Sequence, residues 1–297
     1  MTRLRQMMLD ELQRRNYAAT TTEYYLRTLE RFARYFRRPP DQLTPHHIRT
    51  YQTYLLRERK LHPHSVRREV AALRFFFVKT LRRRYLIDDT PYPKVPQRLP
   101  TVLTPEEVQR LIAGARTLTE RTMLMVLYST GMRNAELRHL QVCDIDSRAM
   151  LIHVGHGKGG RDRYVPLSAT LLATLREHWR WMKPKTWLFP GTLHNWRADR
   201  PITPKVVWDA CRAAAERAGL TKRVSAHTLR HSYATHLLEA GADIRTIQLL
   251  LGHAQVRHTV IYLHLSPRHL QAVANPLDAL TIPGLDTVRR SRRLHKR

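Results

Sequence analysis

The chain has little of what would tie it to an oxidising compartment or a membrane. Of its 297 residues only Cys143 and Cys211 are cysteines, and neither has a second cysteine at metal-ligand spacing, which excludes a disulfide framework and a zinc knuckle. No apolar run approaches the length of a membrane span. The N-terminal MTRLRQMMLDELQRR mixes charge with apolar residues where a secretory signal would keep an apolar core. A soluble cytoplasmic protein with no membrane partner is expected.

Acidic residues are also scarce: 24 Asp and Glu stand against 52 Lys and Arg, a net charge of +28. Residues 1 to 100 carry 22 basic and 9 acidic side chains and the remainder 30 and 15, so the excess lies on both halves. A basic tail added to a neutral enzyme would not look like this, whereas two domains gripping one polyanion would. Arginine supplies 43 of the 52 basic residues; a compositional bias explains arginine over lysine but not the missing acids. Nucleic acid bound through its phosphates is the partner this charge implies, with affinity that falls as salt rises.

At this length two domains are expected. TTTEYYLRTLERFARYF places Tyr25, Leu29, Phe32 and Phe36 on one helical face behind hydroxyl caps, and Pro39 and Pro40 stop it. LTPHHIRTYQTYLL restarts with Thr44 as cap and Pro45 at the first helical position, presenting Ile48, Tyr51 and Leu55. SVRREVAALRFFFVKTL stacks Val66, Val70, Leu73 and Phe77, with Arg67, Arg68 and Arg74 on other faces. These segments predict a small bundle with a basic outer surface. Prolines 91, 93, 96 and 100 then favour an extended connector. TPEEVQRLI opens a second domain with a capping box from Thr104 to Glu107. RTMLMVLYSTG, apolar nearly all round, reads as a buried helix, and MLIHVG with RYVPL as a β-hairpin. From residue 203 the reading is helical, with Gly241 and Gly252 as C-terminal caps. The fold class is therefore mainly α with a small β-hairpin or sheet. The division expected is an N-terminal DNA-binding domain over 1–88, a linker over 89–103, a catalytic domain over 104–275 and a C-terminal segment over 276–297.

Gly155, Gly157 and Gly160 formally match a dinucleotide-binding glycine pattern, but a strand follows where a helix N-terminus would be needed. What remains there is Lys158, one of nine lysines, at the tip of a glycine turn; a lysine can lose its proton where an arginine cannot. Arg133 stands just past Gly131 at a helix start, with Glu136 three residues on and able to orient its guanidinium. In HTLRH, His227 and Arg230 share one side of a helix start and can both donate to a phosphate; His231 and His236 read as packing or surface residues elsewhere on that helix. His253 follows a glycine cap, and Tyr262, among Val260, Ile261 and Leu263, reads by default as a core residue.

In this order, Arg133, Lys158, His227-x-x-Arg230, Leu-Gly-His253 and Tyr262 resemble the tyrosine recombinase family, the phage-type integrases and Xer-type recombinases. The likeness is nearly residue by residue over HTLRHSYATHLLEAGADIRTIQLLLGH and extends over about residues 10 to 275. It implies a SAM-like core-binding domain at the N-terminus and a mixed α+β catalytic domain. It further implies cleavage of DNA by Tyr262 through a 3′-phosphotyrosyl ester, without metal, ATP or any other cofactor. By the same resemblance Arg133, Arg230 and His253 would hold the phosphate, Lys158 would protonate the departing 5′-oxygen, His227 would assist proton transfer at the tyrosine, and Glu136 would support the first arginine. The partners implied are double-stranded DNA bearing recombination sites and a homo-tetramer on two duplexes, nucleoid-associated, with accessory proteins left open. Residues 276–283 would dock onto a neighbouring protomer, and 286–297 read as a disordered, non-specific DNA tail. LPTVLTPEEVQRL resembles integron-type integrases; transposon-borne and phage-type integrases stay open as subgroups.

Overall fold

Apolar spacing and capping chemistry account for most helix boundaries in the computed structural model, which describes residues 3–83, 90–96, 99–155, 162–193 and 196–265. The chain divides into two units, Met1–Arg98 and Leu99–Arg297.

The first unit is a bundle of four helices, α1 (Arg3–Arg14), α2 (Ala19–Phe36), α3 (Pro45–Arg57) and α4 (Pro63–Phe75), the last continued by a π-helical turn over Phe76–Thr80. Met8 and Leu12 of α1, Leu29 and Phe32 of α2, Ile48 and Tyr51 of α3 and Val66, Val70 and Leu73 of α4 close one core, which Phe76 and Phe77 complete. Thr44 and His47 form the capping box of α3, with Pro45 at its first position. The hydroxyl cap expected for α2 is absent: Ala18 occupies the cap position without a side-chain bond, because the threonines at 20–22 already lie in the first turn. The helix ends on Arg37 in the left-handed region, φ 52°.

In the second unit the Thr104–Glu107 capping box opens α5 (Pro105–Ala113), and α6 (Leu118–Thr130) runs buried through the core to a left-handed Gly131. A short α7 (Asn134–Arg138) follows. Strands β1 (Ile145–Asp146), β2 (Leu151–Val154) and β3 (Arg163–Pro166) form an antiparallel sheet in that order, with Ile152 opposite Val165 and Val154 opposite Arg163. After α8 (Ala169–Met182) a second hairpin, β4 (Pro190–Leu193) and β5 (Trp196–Pro201), precedes α9 (Pro204–Arg217), α10 (Ala226–Glu239), α11 (Ile244–Leu251) and α12 (Arg257–Val260), and a 3-10 turn covers Ile261–His264.

The main core gathers Leu124 and Leu127 of α6, Ile152 and Val165 of the sheet, Val207 and Ala214 of α9 and Leu229 of α10. A satellite cluster packs Ala234 and Leu238 of α10 and Ile247 and Leu251 of α11 around Tyr262. Among the described residues no helix is long and apolar enough to cross a membrane. The tip of the β2–β3 hairpin, with Lys158, lies outside the described residues, as do the segments 276–283 and 286–297.

Candidate functional site

Two helices of the second unit end on glycines in the left-handed region, Gly131 after α6 and Gly252 after α11 (φ 60° and 62°). The last carbonyls of a helix have no partner within it and carry the negative end of its dipole. Arg230 uses both ends. Its Nη1 donates to the Gly131 carbonyl at 2.7 Å and its Nη2 to the Leu251 carbonyl at 2.6 Å, which fixes the guanidinium while it is 97% buried. Ser225 starts α10 by a capping box with Thr228, so Arg230 and His227 project from its first turns.

Arg133 reaches the same α11 terminus from the start of α7. Its Nη2 donates to the Gly252 carbonyl at 3.2 Å and its Nη1 to Glu136 Oε1 at 2.5 Å. Glu136 is more than a local partner for Arg133: it also accepts from Arg163 Nη1 at 3.1 Å and Nη2 at 2.7 Å, while Arg163 Nε donates to the Leu250 carbonyl at 2.6 Å. Arg163 thus ties β3, α7 and the α11 terminus together, with its side chain 8% exposed. Burial works to raise the Glu136 carboxyl, but the Arg163 and Arg133 guanidiniums hold it down to about 2. Burial, with Arg133 nearby, lowers Arg230 to about 10, which leaves it charged at neutral pH. Two guanidiniums therefore pair with one carboxylate while a third, Arg230, rests on backbone carbonyls alone, an arrangement that attracts a further anion.

The third wall is made of imidazoles and a phenol. Tyr262 is 1% exposed, and its hydroxyl lies 3.2 Å from His231 Nδ1. The His253 ring lies parallel to the tyrosine ring at 6.4 Å, and its Nδ1 pairs with Thr259 Oγ1 at 2.9 Å. His227 lies on the exposed side of α10, its ring 6.5 Å from His231. Burial first, then the neighbouring positive charge, depresses all three: His231 to about 4, His253 to about 3, and His227 below its ordinary value. At neutral pH His231 and His253 are uncharged, so each can accept a proton or donate its N–H. Burial raises the Tyr262 phenol, and the Arg230 and Arg133 guanidiniums oppose that rise. Such a site can neutralise a phosphate with fixed guanidiniums while a phenol, relieved of its proton by a neutral imidazole, attacks the phosphorus.

The structure brings Arg133, Glu136, Arg230, His253 and Tyr262 together, with His227 at the edge; Lys158 falls outside the described residues. Two residues escaped the sequence reading. Arg163 shares a strand face with buried Val165, while Tyr164 points outward, 64% exposed; an arginine in the inward register was the signal. His231 departs from the expectation that it packs elsewhere on the helix: four residues after His227, it lies one turn further along the same face and meets Tyr262. His236 does pack, against the Tyr128 hydroxyl at 2.9 Å.

Residues 101–269 match the model of the phage integrase family and residues 4–87 that of the phage integrase N-terminal SAM-like domain. The integrase/recombinase y4qK of Sinorhizobium fredii is 46% identical over 285 residues, which cover 96% of this chain and 91% of that one. The tyrosine recombinase XerA of Pyrococcus horikoshii is 39% identical over 180 residues, 60% of this chain and 62% of that one. Among solved structures, a lambda integrase dimer bound to a COC′ core site superposes with a TM-score of 0.70 at 18% identity, over 90% of this chain and 95% of that one. Fold and relatives together define a tyrosine-type recombinase. The chain belongs to the phage integrase family.

Proposed function

We propose that this chain breaks and rejoins DNA at specific sites through a covalent 3′-phosphotyrosine at Tyr262, integrating, excising or resolving a mobile element. The observation that carries the reading is the convergence of Arg133 and Arg230 on the consecutive carbonyls of Gly252 and Leu251, beside a buried tyrosine bonded to a neutral histidine. Arg133 and Arg230 bind the two non-bridging oxygens of the scissile phosphate, and His253 donates a further hydrogen bond. Glu136, held by Arg163, fixes the plane of the Arg133 guanidinium. The Tyr262 oxygen attacks phosphorus, the phosphorus–O5′ bond breaks, and the phenol proton passes to an imidazole. His231 stands in hydrogen-bonding position for that proton, and His227, nearer solvent, assists its transfer. Lys158 protonates the departing O5′. Conserving the phosphoester bond on the tyrosine lets a 5′-hydroxyl from a second duplex displace it without ATP.

In this reading the segment 104–275 performs catalysis, 1–88 binds the duplex, and 89–103 links the two. Strand exchange between two duplexes needs four nucleophiles, so the working assembly is a homo-tetramer in which 276–283 reaches a neighbouring protomer. The site of action is the cytoplasmic nucleoid. A nicked duplex selected for binding from a random pool, incubated with EDTA and without ATP, tests the reading. Wild type forms a covalent adduct that survives a denaturing gel, and Tyr262→Phe binds the duplex but forms none; a metal-dependent adduct, or one that persists in the variant, overturns it.

A further inference from the structure

The first unit carries an open cleft of about 580 Å³ between α2, α3 and α4, of the size that takes a small organic ligand. One wall is aromatic. Tyr35 and Tyr54 have ring centroids 4.3 Å apart, and Tyr51 lies 5.3 Å from Tyr35 and 5.8 Å from Tyr54, with Tyr35 38% exposed. The remaining lining is cationic: Arg31, Arg34, Arg59 and Arg68 border the same space. Arg68 covers the Tyr24 ring at 4.2 Å, and among the described residues Arg34, Arg59 and Arg68 have no carboxylate partner.

Glu69 is the unusual member of this lining. Its residue is 6% exposed, and its Oε1 accepts from the Tyr24 hydroxyl at 2.9 Å and from Arg31 Nη2 at 2.6 Å. Its Oε2 is buried with no partner. A buried carboxylate oxygen without a donor is costly, and a surface that only held phosphates would have no use for one. The complementary ligand carries negative charge, a flat π face and an N–H donor. A nucleotide has all three, and its ring faces and Watson–Crick edge are free only when its base is unpaired.

We propose that this cavity receives an unpaired nucleotide of the DNA substrate. The base packs against the exposed part of the Tyr35 ring, the flanking phosphate lies on Arg34 and Arg59, and an amine or imino N–H of the Watson–Crick edge is donated to Glu69 Oε2. That oxygen is buried, so the base reaches it by displacing the side chains that cover it. The inference takes from the proposed function only that DNA is the partner; it does not depend on which residue cleaves.

The test is fluorescence anisotropy of the full chain on two labelled duplexes, one fully paired and one identical but for a single extra, unpaired cytosine. The bulged duplex binds about tenfold more tightly, the equivalent of one stacked base. Tyr35→Leu and Glu69→Gln each remove that preference and leave affinity for the paired duplex unchanged, with thermal unfolding confirming the fold; Tyr35 is exposed, so its variant serves even if Glu69→Gln weakens the bundle. Free dCMP distinguishes the source: saturable dCMP binding that Tyr35→Leu abolishes, without a bulge preference, keeps the nucleotide site but overturns the assignment to a DNA strand. Equal affinities for both duplexes with no dCMP binding, or a bulge preference that both variants retain, overturn the proposal. Because binding is read without cleavage, a failure here is distinct from failure to form the Tyr262 adduct.

Discussion

Arg163→Met removes the guanidinium that holds Glu136 from β3 and leaves that buried carboxylate with Arg133 alone. In the wild type the carboxyl is held at about 2 against an ordinary 4.5, although burial pulls it the other way. A carboxyl displaced that far contributes about 3 kcal/mol at neutral pH, and removing one partner of a buried pair costs about 3–5 kcal/mol. The folded value lies below the unfolded one, so the contribution is complete above about pH 4.5 and is lost as pH falls toward 2. All five tryptophans lie between residues 179 and 208, so their fluorescence during urea unfolding follows the second unit. Arg163→Met should lose about 3 kcal/mol at pH 7, and the difference from wild type should shrink as pH is lowered to 3. A loss under about 1 kcal/mol, within the range of a surface pair, or a loss of the same size at every pH, would refute this account of the Glu136 site.

Gly252→Ala should destabilise the second unit by about 1–2 kcal/mol and slow cleavage, because the residue has φ +62° and an added Cβ would lie 3.0 Å from Arg163 Nη1; urea unfolding and single-turnover cleavage check both. In the free protein His231, held at about 4 by burial and by the charges of His227 and Arg230, should show no NMR titration above pH 5; a midpoint near 6.5 would contradict its neutral resting state. Arg230→Ala should slow adduct formation by about 10²–10³-fold, the loss typical of one oxyanion-stabilising group; an unchanged rate would remove it from the phosphate site. Affinity for duplex DNA should fall by about 10³–10⁵ between 50 and 200 mM salt if six to ten phosphates are gripped; a flat salt profile would contradict the reading of the +28 charge.

The features legible in the sequence are those that depend on local chemistry. The Thr104–Glu107 capping box, Pro45 at a helix start and the left-handed Gly252 each act within a few residues, and each helix end falls where that chemistry put it. The site was legible as an ordered set of residue types, but its supports were not. Arg163 meets Glu136 across 27 positions of sequence and Leu250 across 87, and an arginine in a short strand looks like any other surface arginine until its neighbour Val165 is known to face the core. His231 was legible in principle from its spacing to His227, but its partner Tyr262 is 31 residues away and reached only through the packing of α10 against the turn after α12. The α2 cap shows the reverse case: three consecutive threonines looked like cap residues, and the helix began one residue before them.

The most direct test of the central claim is to find which residue carries the DNA. The covalent adduct formed on a nicked duplex is digested with nuclease and trypsin and sequenced by mass spectrometry. The account predicts a 3′-linked nucleotide on the peptide HTVIYLHLSPR, residues 258–268, at Tyr262; a nucleotide on any other tyrosine, or a 5′ linkage, would contradict it.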